Sequence, residues 1–370
     1  MAYYTEQEPE TRRRFAGGWI GWGLVAAIVI GAATVSAVPS NYVVEWPGPV
    51  YDVLGTVESD GAPVALIDIP SQQTYPTTGS LSMLTVTTLG DREQPANWLQ
   101  VFQAWIDPSQ DYLPLDVAFP DGQTTEQSAE QSAAQMEQSQ QVAIAAALKV
   151  TGYDFTTIVS VNGTEAGGPS ADLLLPGDVI TAVNGQPVTD LETLRGLISA
   201  NGTETPLTVS VVREGAAANV VITPVLSDTE QPEPIIGIDV GVTYDFPFEV
   251  NIQLSDVGGP SAGQIFALAI IDKLTPGSLT DDRAFAGTGT VTIDGEIGPI
   301  GGITQKMYGA QRAGADYFLA PASNCDDIAA GTVPDGLDVY AVSTLAESLA
   351  VLNTLSTGAS TSLLPRCPTD

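Results

Sequence analysis

Residues 258–274 read GGPSAGQIFALAIIDKL, a glycine-rich turn followed by a helix pattern that is apolar on nearly every face. The pattern predicts a buried helix that begins just after Ser261. The first N–H groups of a helix have no partner within the helix, and the helix dipole favours negative charge there. This position suits a serine alkoxide and a neighbouring oxyanion. The alternative is that Ser261 only caps the helix.

The chain contains no histidine, which excludes a Ser-His-Asp triad by composition. A lysine with a lowered pKa is the substitute, and the chain has three lysines, Lys149, Lys273 and Lys306. Lys306 ends the stretch TGTVTIDGEIGPIGGITQK, residues 288–306, in which strand and turn patterns lead to a helix after Gly301-Gly302.

Lys306 lies on an apolar stripe of this second predicted helix. The stripe is completed at helical spacing by Ile303, Met307, Ala310 and Ala313. Burial disfavours the ammonium form and lowers the pKa of a lysine toward working pH, which a general base requires. The alternative is a lysine stem that lies along apolar surface with its amine in water.

The pentapeptide GGPSA is not specific alone, because it occurs at residues 167–171 as well as at 258–262. At the first place it leads into LLLPGD, residues 173–178, which is a scaffold pattern. The context of Ser261, an apolar helix followed by the lysine segment, therefore decides its interpretation.

The GPSAG turn, the segment ending at Lys306 and FLAPASN, residues 318–324, together resemble the proteolytic domain of the Lon family. The resemblance spans most of residues 235–353 and predicts a Lon-type proteolytic domain at 235–355. It implies a Ser-Lys dyad with Ser261 as nucleophile and Lys306 as general base. It also implies that Thr288 is the threonine that hydrogen-bonds the lysine.

Backbone N–H groups of Gly259, Ser261 and Ala262 are the candidates for stabilising an oxyanion. The chain departs from the Lon family at Gly258, where an acidic residue is usual. This departure leaves open which groups line the approach to the nucleophile.

Residues 150–225 show a second resemblance. LLPGDVITAVNGQPV, residues 174–188, predicts a turn, a strand and a second turn, and residues 191–198 predict an amphipathic helix after Thr189-Asp190. This unit resembles a PDZ domain of the bacterial protease type. The resemblance implies that the unit binds extended peptides by strand addition.

The PDZ peptide groove is predicted near Gly152, Tyr153 and Phe155, at the turn that precedes the first strand of the unit. Residues 226–234 are polar and contain two prolines, and they predict a linker to the last domain.

Residues 15–38 carry no charged side chain, and three arginines, residues 12–14, precede them. At about 1.5 Å per residue, a helix of this length spans the roughly 30 Å hydrocarbon core of a membrane. The positive-inside rule predicts a cytoplasmic tail at 1–16, a transmembrane helix at 17–38 and an extracytoplasmic remainder. The alternative is a cleaved signal peptide, because residues 35–37 resemble a cleavage site.

Residues 39–149 predict a mixed α/β region that ends in a helix, because short β-branched runs give way to Gln-, Ser- and Ala-rich residues from 124 onward. Outside the cell, Cys325 and Cys367 are expected to pair and to pin the tail, residues 356–370, to the last domain. The alternative is two buried free thiols.

The predicted fold class is α+β and multidomain, with a transmembrane helix, a mixed α/β region, a PDZ domain and a C-terminal Lon-type domain. This order resembles the membrane-anchored PDZ–Lon proteins of Gram-positive bacteria. The net charge of −32 argues against nucleic-acid partners. The chain has no GxxxxGK[ST] phosphate-binding motif, so we expect no ATPase activity.

These inferences predict an ATP-independent, membrane-anchored serine endopeptidase that cleaves unfolded or flexible protein segments selected by its PDZ domain. The expected partners are protein or peptide substrates, without a cofactor or a metal. A homo-oligomer in the form of a hexameric ring follows by analogy. The alternative is a PDZ peptide-binding adaptor whose Lon-like domain is inactive or strictly gated.

Overall fold

The computed structural model describes residues 38–59, 61–119, 122, 124–254 and 257–368, together with Trp22, Val25, Ala26, Val29 and Gly31. The predicted transmembrane helix at 17–38 therefore lies almost wholly outside the described residues. Within the described residues, no helix is both long enough and apolar enough to cross a membrane.

The secondary structure alternates short strands and helices. The strands are β1 (Tyr42–Asp52), β2 (Thr56–Ser59), β3 (Ala62–Ala65), β4 (Ile67–Asp68), β5 (Ser80–Leu89), β6 (Asp111–Pro114), β7 (Thr156–Thr164), β8 (Val179–Val183), β9 (Gln186–Pro187), β10 (Leu207–Arg213), β11 (Ala216–Ile222), β12 (Val225–Leu226), β13 (Pro234–Ile235), β14 (Ile238–Asp245), β15 (Asn251–Ile252), β16 (Ala284–Gly287), β17 (Thr290–Val291), β18 (Ile297–Gly298), β19 (Tyr317–Pro321) and β20 (Asp338–Val342). The α-helices are α1 (Trp98–Ile106), α2 (Leu115–Ala118), α3 (Thr125–Thr151), α4 (Leu191–Asn201), α5 (Gly263–Leu274), α6 (Ile303–Arg312), α7 (Cys325–Ala330) and α8 (Leu345–Ser356).

The central sheet has the strand order β20-β19-β16-β5-β1-β6. Strands β20, β19, β16 and β5 are parallel, whereas β1 pairs antiparallel with β5 and with β6. The sheet therefore joins strands from the predicted region 39–149 to strands from the predicted domain 235–355. Ala284 of β16, for example, pairs with Ser80 of β5. A local pattern identifies a strand but not its partner, which here lies roughly 200 residues away.

The apolar helix that follows Ser261 is buried, as its sequence predicts. Every residue of α5 except Lys273 is buried. The apolar last turns of α3, around Ala143–Leu148, belong to the same core as α5 and the central sheet. Close packing of this kind holds the first turn of α5, and Ser261 before it, in a fixed position.

A second sheet with its own core is formed by the part of the chain that lies between the early strands and the late strands of the central sheet. Its strand order is β11-β10-β8-β7-β14, and Leu194 and Ile198 of α4 belong to its core. Strand β14 pairs antiparallel along β7, so this unit extends past its predicted end at residue 225. The polar stretch 226–234 is therefore a connection within the unit. The local sequence of β14 does not indicate that this strand, which follows a linker-like stretch, pairs with β7 of the preceding sheet.

Aromatic side chains join the inserted unit to the central core. Tyr153, which follows α3, packs edge-on against Phe248 with 4.9 Å between ring centroids. Phe155 packs edge-on against Tyr244 and Phe246, at the end of β14. The outgoing and the returning connections of the unit thus meet in one aromatic cluster.

A disulfide joins Cys325, at the start of α7, to Cys367 in the tail. The tail runs beside β20, where the carbonyl oxygen of Pro365 accepts a hydrogen bond from the N–H of Ala341. The Arg366 guanidinium stacks 4.5 Å from the centre of the Tyr340 ring. The described tail residues are therefore attached to the edge of the central sheet.

Candidate active site

Ser261 lies two residues before α5, where the chain turns into the buried helix. Gly259 has a φ of +86°, a left-handed conformation that favours glycine. The carbonyl oxygen of Ser261 accepts a hydrogen bond from the N–H of Gly289 at 2.8 Å. The N-cap of α5 is Ala262, and no described side chain caps this helix. Ser261 therefore does not act as the cap.

The predicted catalytic side chains meet at hydrogen-bond distance. Lys306 Nζ donates to Ser261 Oγ at 2.8 Å and to Thr288 Oγ1 at 3.2 Å. The Thr288 hydroxyl donates in turn to the carbonyl oxygen of Ser261 at 2.9 Å. The structure thus brings together one side chain from the turn at residues 258–262, called the nucleophile turn below, one from the segment after β16 and one from α6.

Helix α6 carries Lys306 on its buried side. Ile303, Met307 and Ala310 of the same side pack into the core. Gly302, the N-cap of α6, has a φ of +67°, and a Cβ there would come within 2.6 Å of Val86. Lys306 is only 4% exposed. Its amine is consequently held inside the site rather than in water.

Burial lowers the pKa of Lys306 to about 8, because the ammonium group loses its hydration. The carboxylate of Glu45 acts in the opposite direction on this pKa. Burial also raises the pKa of Glu45, as does Asp111, which faces it across β1 and β6. Near pH 8 a large fraction of Lys306 is therefore neutral, and the neutral amine can accept a proton.

The site opens into a cleft of about 960 Å³. One wall comes from β1, β5 and β6, through residues that include Glu45, Tyr51, Met83, Asp111 and Leu113. This wall could not be predicted from the sequence, because alternating residues of a strand look alike whether they face a core or a cleft. The available signal was the presence of acidic residues within otherwise β-branched strands.

Helix α3 supports the nucleophile turn. The carbonyl oxygen of Ser132 accepts a hydrogen bond from the N–H of Gly259 at 2.9 Å, and Ser139 Oγ donates to the carbonyl oxygen of Pro260 at 2.9 Å. A Cβ at Gly258 would lie 2.7 Å from the Cβ of Ser132. This close approach explains why glycine stands where the Lon family usually has an acidic residue.

The predicted oxyanion donors differ in their availability. The N–H of Gly259 is engaged by Ser132, which removes it from the predicted set. The N–H groups of Ser261 and Ala262 make no backbone hydrogen bond within the described part of the chain. Both lie at the N-terminal end of α5, where the helix dipole favours a negative charge. The geometry therefore leaves two donors for an oxyanion.

The residues that were predicted to bind peptides in the PDZ unit lie at the junction between this unit and the central core. Gly152 ends α3 in a left-handed conformation with a φ of +81°, and Tyr153 and Phe155 belong to the aromatic cluster described above. These rings pack against the central core and do not line the groove of the PDZ unit. The prediction that placed the groove at these three residues is therefore corrected.

A groove of about 650 Å³ lies instead between α4 and the segment that leads into β14. Its lining includes Leu194 and Ile198 from α4 and Ile236 and Ile238 from the opposite side. Strand β14 is the last strand of its sheet, so one of its edges has no strand partner among the described residues. The missed signal was a glycine among isoleucines, at residues 235–238, directly before a strand.

Comparison with known proteins assigns both units. Residues 254–354 match the family described as the Lon protease (S16) C-terminal proteolytic domain, and residues 160–211 match the PDZ domain family. The chain therefore carries a Lon-type proteolytic domain and a PDZ domain.

Curated relatives of the proteolytic part are Lon proteases. The chain is 37% identical over 120 residues to Lon protease 1 of Bacillus subtilis (strain 168), which is 32% of this chain and 14% of that protein. It is 43% identical over 95 residues to Lon protease 1 of Sorangium cellulosum (strain So ce56), which is 25% of this chain and 11% of that protein. The matches lie in the C-terminal part of this chain, which thus covers only a small share of its relatives.

A solved structure similar to part of this chain is the PDZ domain of an SdrC-like protein from Listeria monocytogenes. It is 21% identical and covers 22% of this chain and 85% of that chain, with a TM-score of 0.21.

Proposed function

We propose that this protein is a serine endopeptidase that uses a Ser261–Lys306 dyad and works without ATP. The supporting observation is the 2.8 Å contact between Lys306 Nζ and Ser261 Oγ, made by a lysine whose pKa burial lowers to about 8. A general base for a serine must be within hydrogen-bond reach and partly unprotonated at working pH. The Lon-type proteolytic domain supports the same activity.

In the proposed reaction, neutral Lys306 takes the hydroxyl proton of Ser261 while Oγ attacks the carbonyl carbon of a peptide bond. The N–H groups of Ser261 and Ala262 stabilise the charge that develops on the carbonyl oxygen. The Lys306 ammonium gives its proton to the leaving amine, the C–N bond breaks, and an acyl ester remains on Ser261. Thr288 keeps the amine directed at Ser261 through its 3.2 Å contact.

The second half of the reaction uses water. Lys306 takes a proton from a water molecule that attacks the ester, and returns it to Ser261 Oγ as the acyl group leaves as a carboxylic acid. The dyad is thereby restored.

The PDZ unit supplies a place for substrate segments in this proposal. An extended peptide added along the free edge of β14 would direct alternate side chains toward the groove that Leu194 and Ile198 line. Peptides must be extended to pair in this way, so we expect unfolded or flexible protein segments as substrates.

The location that we propose for the peptidase is the outer face of the cell membrane. The uncharged residues 15–38 behind three arginines support an anchor with its N-terminus in the cytoplasm. The disulfide between Cys325 and Cys367 suits an oxidising compartment.

Labelling with a fluorophosphonate serine probe and cleavage of an unfolded protein substrate test the dyad. We expect Ser261→Ala and Lys306→Met to abolish both signals. Lys149→Met is the matched control, because Lys149 is exposed and pairs with Asp294 at 2.5 Å on the surface. Undiminished cleavage by the Ser261→Ala variant would refute the dyad. Absence of labelling in the parent protein, with peptide binding retained, would instead favour the adaptor function.

A further inference from the structure

Helix α1 is apolar on two sides. On its inner side, Val101 and Ala104 pack with Val44 and Ala96 in a small core. Its outer side presents large apolar side chains to solvent: Trp98 is 45% exposed, Phe102 53%, Trp105 68% and Ile106 60%. Rings of this outer side also contact each other, with 5.9 Å between the centroids of Phe102 and Trp105.

This outer side is unusual for a surface in water. The helix sequence WLQVFQAWI contains no charged residue, although the chain has 44 acidic residues. A helix that is apolar on two sides, apart from Gln100 and Gln103, is typical of a helix that contacts apolar surroundings on both sides. A contiguous exposed aromatic patch marks a surface that contacts a protein or a membrane. The outer side of α1 therefore requires a second apolar contact.

The position of α1 in the chain indicates what that contact is. The N–H of Trp98 donates to the carbonyl oxygen of Val38 at 3.4 Å, and Pro39 forms a β-bridge with Asn97. The hydroxyl of Ser40 donates to the carbonyl oxygen of Ala96 at 2.6 Å. The start of α1 is thus tied to the last residue of the uncharged segment 15–38. If that segment spans the bilayer, α1 begins at the membrane surface.

We propose that the outer side of α1 lies in the headgroup region of the bilayer, with Trp98, Phe102 and Trp105 in contact with lipid. Tryptophan and tyrosine are enriched at this depth, because one end of the ring system is apolar and the other can hydrogen-bond. The absence of charge on α1 fits a zwitterionic lipid surface, and the strongly acidic remainder of the chain would be held away from anionic lipids. This inference rests on the proposed membrane anchor.

Strands β1 and β6 lie between α1 and the peptidase cleft. Val44 of β1 and Tyr112 of β6 face α1, whereas their neighbours Glu45 and Asp111 line the cleft. Successive residues of a strand point to opposite faces, so α1 and the cleft lie on opposite faces of one layer. The thickness of α1 and that of the strand layer, each roughly 10 Å, therefore separate the cleft from the membrane surface. Substrates of this peptidase are therefore polypeptide segments close to the membrane.

Fluorescence quenching by brominated lipid tests the docking. A full-length parent variant in which Trp19, Trp22 and Trp46 are replaced by Phe retains only Trp98 and Trp105 as tryptophans, which are excited selectively over tyrosine. It is reconstituted in phosphatidylcholine vesicles, with bromine near the start or near the end of the acyl chain. We expect strong quenching by the shallow bromine and weak quenching by the deep bromine.

Vesicle flotation separates failure of the docking from failure of the anchor. Flotation without quenching would overturn the docking and leave the anchor intact. No flotation would overturn both the anchor and the docking, and cleavage of a soluble unfolded substrate would still report on the peptidase. An intermolecular disulfide between Phe102→Cys variants, formed without quenching, would overturn lipid contact in favour of a second copy of this chain.

A triple variant measures the consequence for catalysis. Replacing Trp98, Phe102 and Trp105 by Ser should lower kcat/KM for a vesicle-tethered substrate by about tenfold or more, because the anchored protein no longer holds its cleft in one orientation against the membrane. Activity on a soluble peptide should be unchanged. The matched control is Val221→Ser with Val225→Ser, two exposed apolar residues of the PDZ unit. Equal losses on tethered and soluble substrates, or an equal loss in the control, would overturn the proposal.

Discussion

Replacing Lys306 by Met tests whether the buried amine bears the desolvation cost on which the proposed chemistry depends. The pKa of Lys306 falls from 10.5 to about 8 on burial. Below pH 8 the amine is protonated in both the folded and the unfolded protein, so folding must desolvate an ammonium. Above pH 10.5 the amine is neutral in both states, and this cost vanishes. At about 1.4 kcal/mol for each pH unit, the cost is roughly 3 kcal/mol.

The Met variant should therefore gain stability relative to the parent at pH 7, and the gain should disappear as the pH rises from 8 to 10.5. Loss of the hydrogen bonds to Ser261 and Thr288 subtracts about 1 kcal/mol each, but this loss depends less on pH. Urea unfolding of parent and variant over this pH range measures the difference, in which other titrating groups cancel. Lys149→Met, which removes an exposed lysine, is the control variant. A flat difference for Lys306→Met would refute the desolvated amine.

Further predictions concern the pH profile and the nucleophile turn. The parent kcat/KM should rise about tenfold from pH 7 to pH 9, because the neutral fraction of a base with a pKa of about 8 rises from roughly a tenth to nine tenths; a flat profile would contradict Lys306 as the base. Glu45→Gln should move the midpoint of that profile to lower pH, because its carboxylate raises the pKa of Lys306; a midpoint at higher pH would contradict this coupling. Gly258→Asp should lower the free energy of unfolding by about 1–3 kcal/mol in thermal unfolding, because its Cβ approaches Ser132. When Ser132→Gly is added to the Gly258→Asp variant, part of that loss should be recovered. A double variant no more stable than Gly258→Asp alone would contradict the contact between the two Cβ positions.

The part of the site that was predictable from sequence lies in short segments with their own local signature. A glycine-rich turn before an apolar helix marked Ser261, and a lysine on an apolar helical stripe marked Lys306. These features depend on residues within one or two helical turns, where periodicity is informative. The structure places the two side chains 2.8 Å apart.

The rest depended on contacts between distant segments. Glu45 and Asp111 line the cleft only because β1 and β6 join a sheet whose other strands come much later in the chain. The PDZ groove was misplaced because its wall at residues 234–240 follows a stretch that looks like a linker. Strand pairing across such separations leaves no trace in local composition or periodicity.

The PDZ unit lies in the chain between the early and the late strands of the central sheet, and this position sets an order of assembly during synthesis. Strands β1 and β5 are made early, but β16, the parallel neighbour of β5, follows roughly 200 residues later. The PDZ sheet is built mostly from neighbouring segments and can form in the meantime. The nucleophile turn and then α6 appear only after it. A nascent chain is therefore latent, because its proteolytic centre cannot exist until most of the polypeptide has been synthesised.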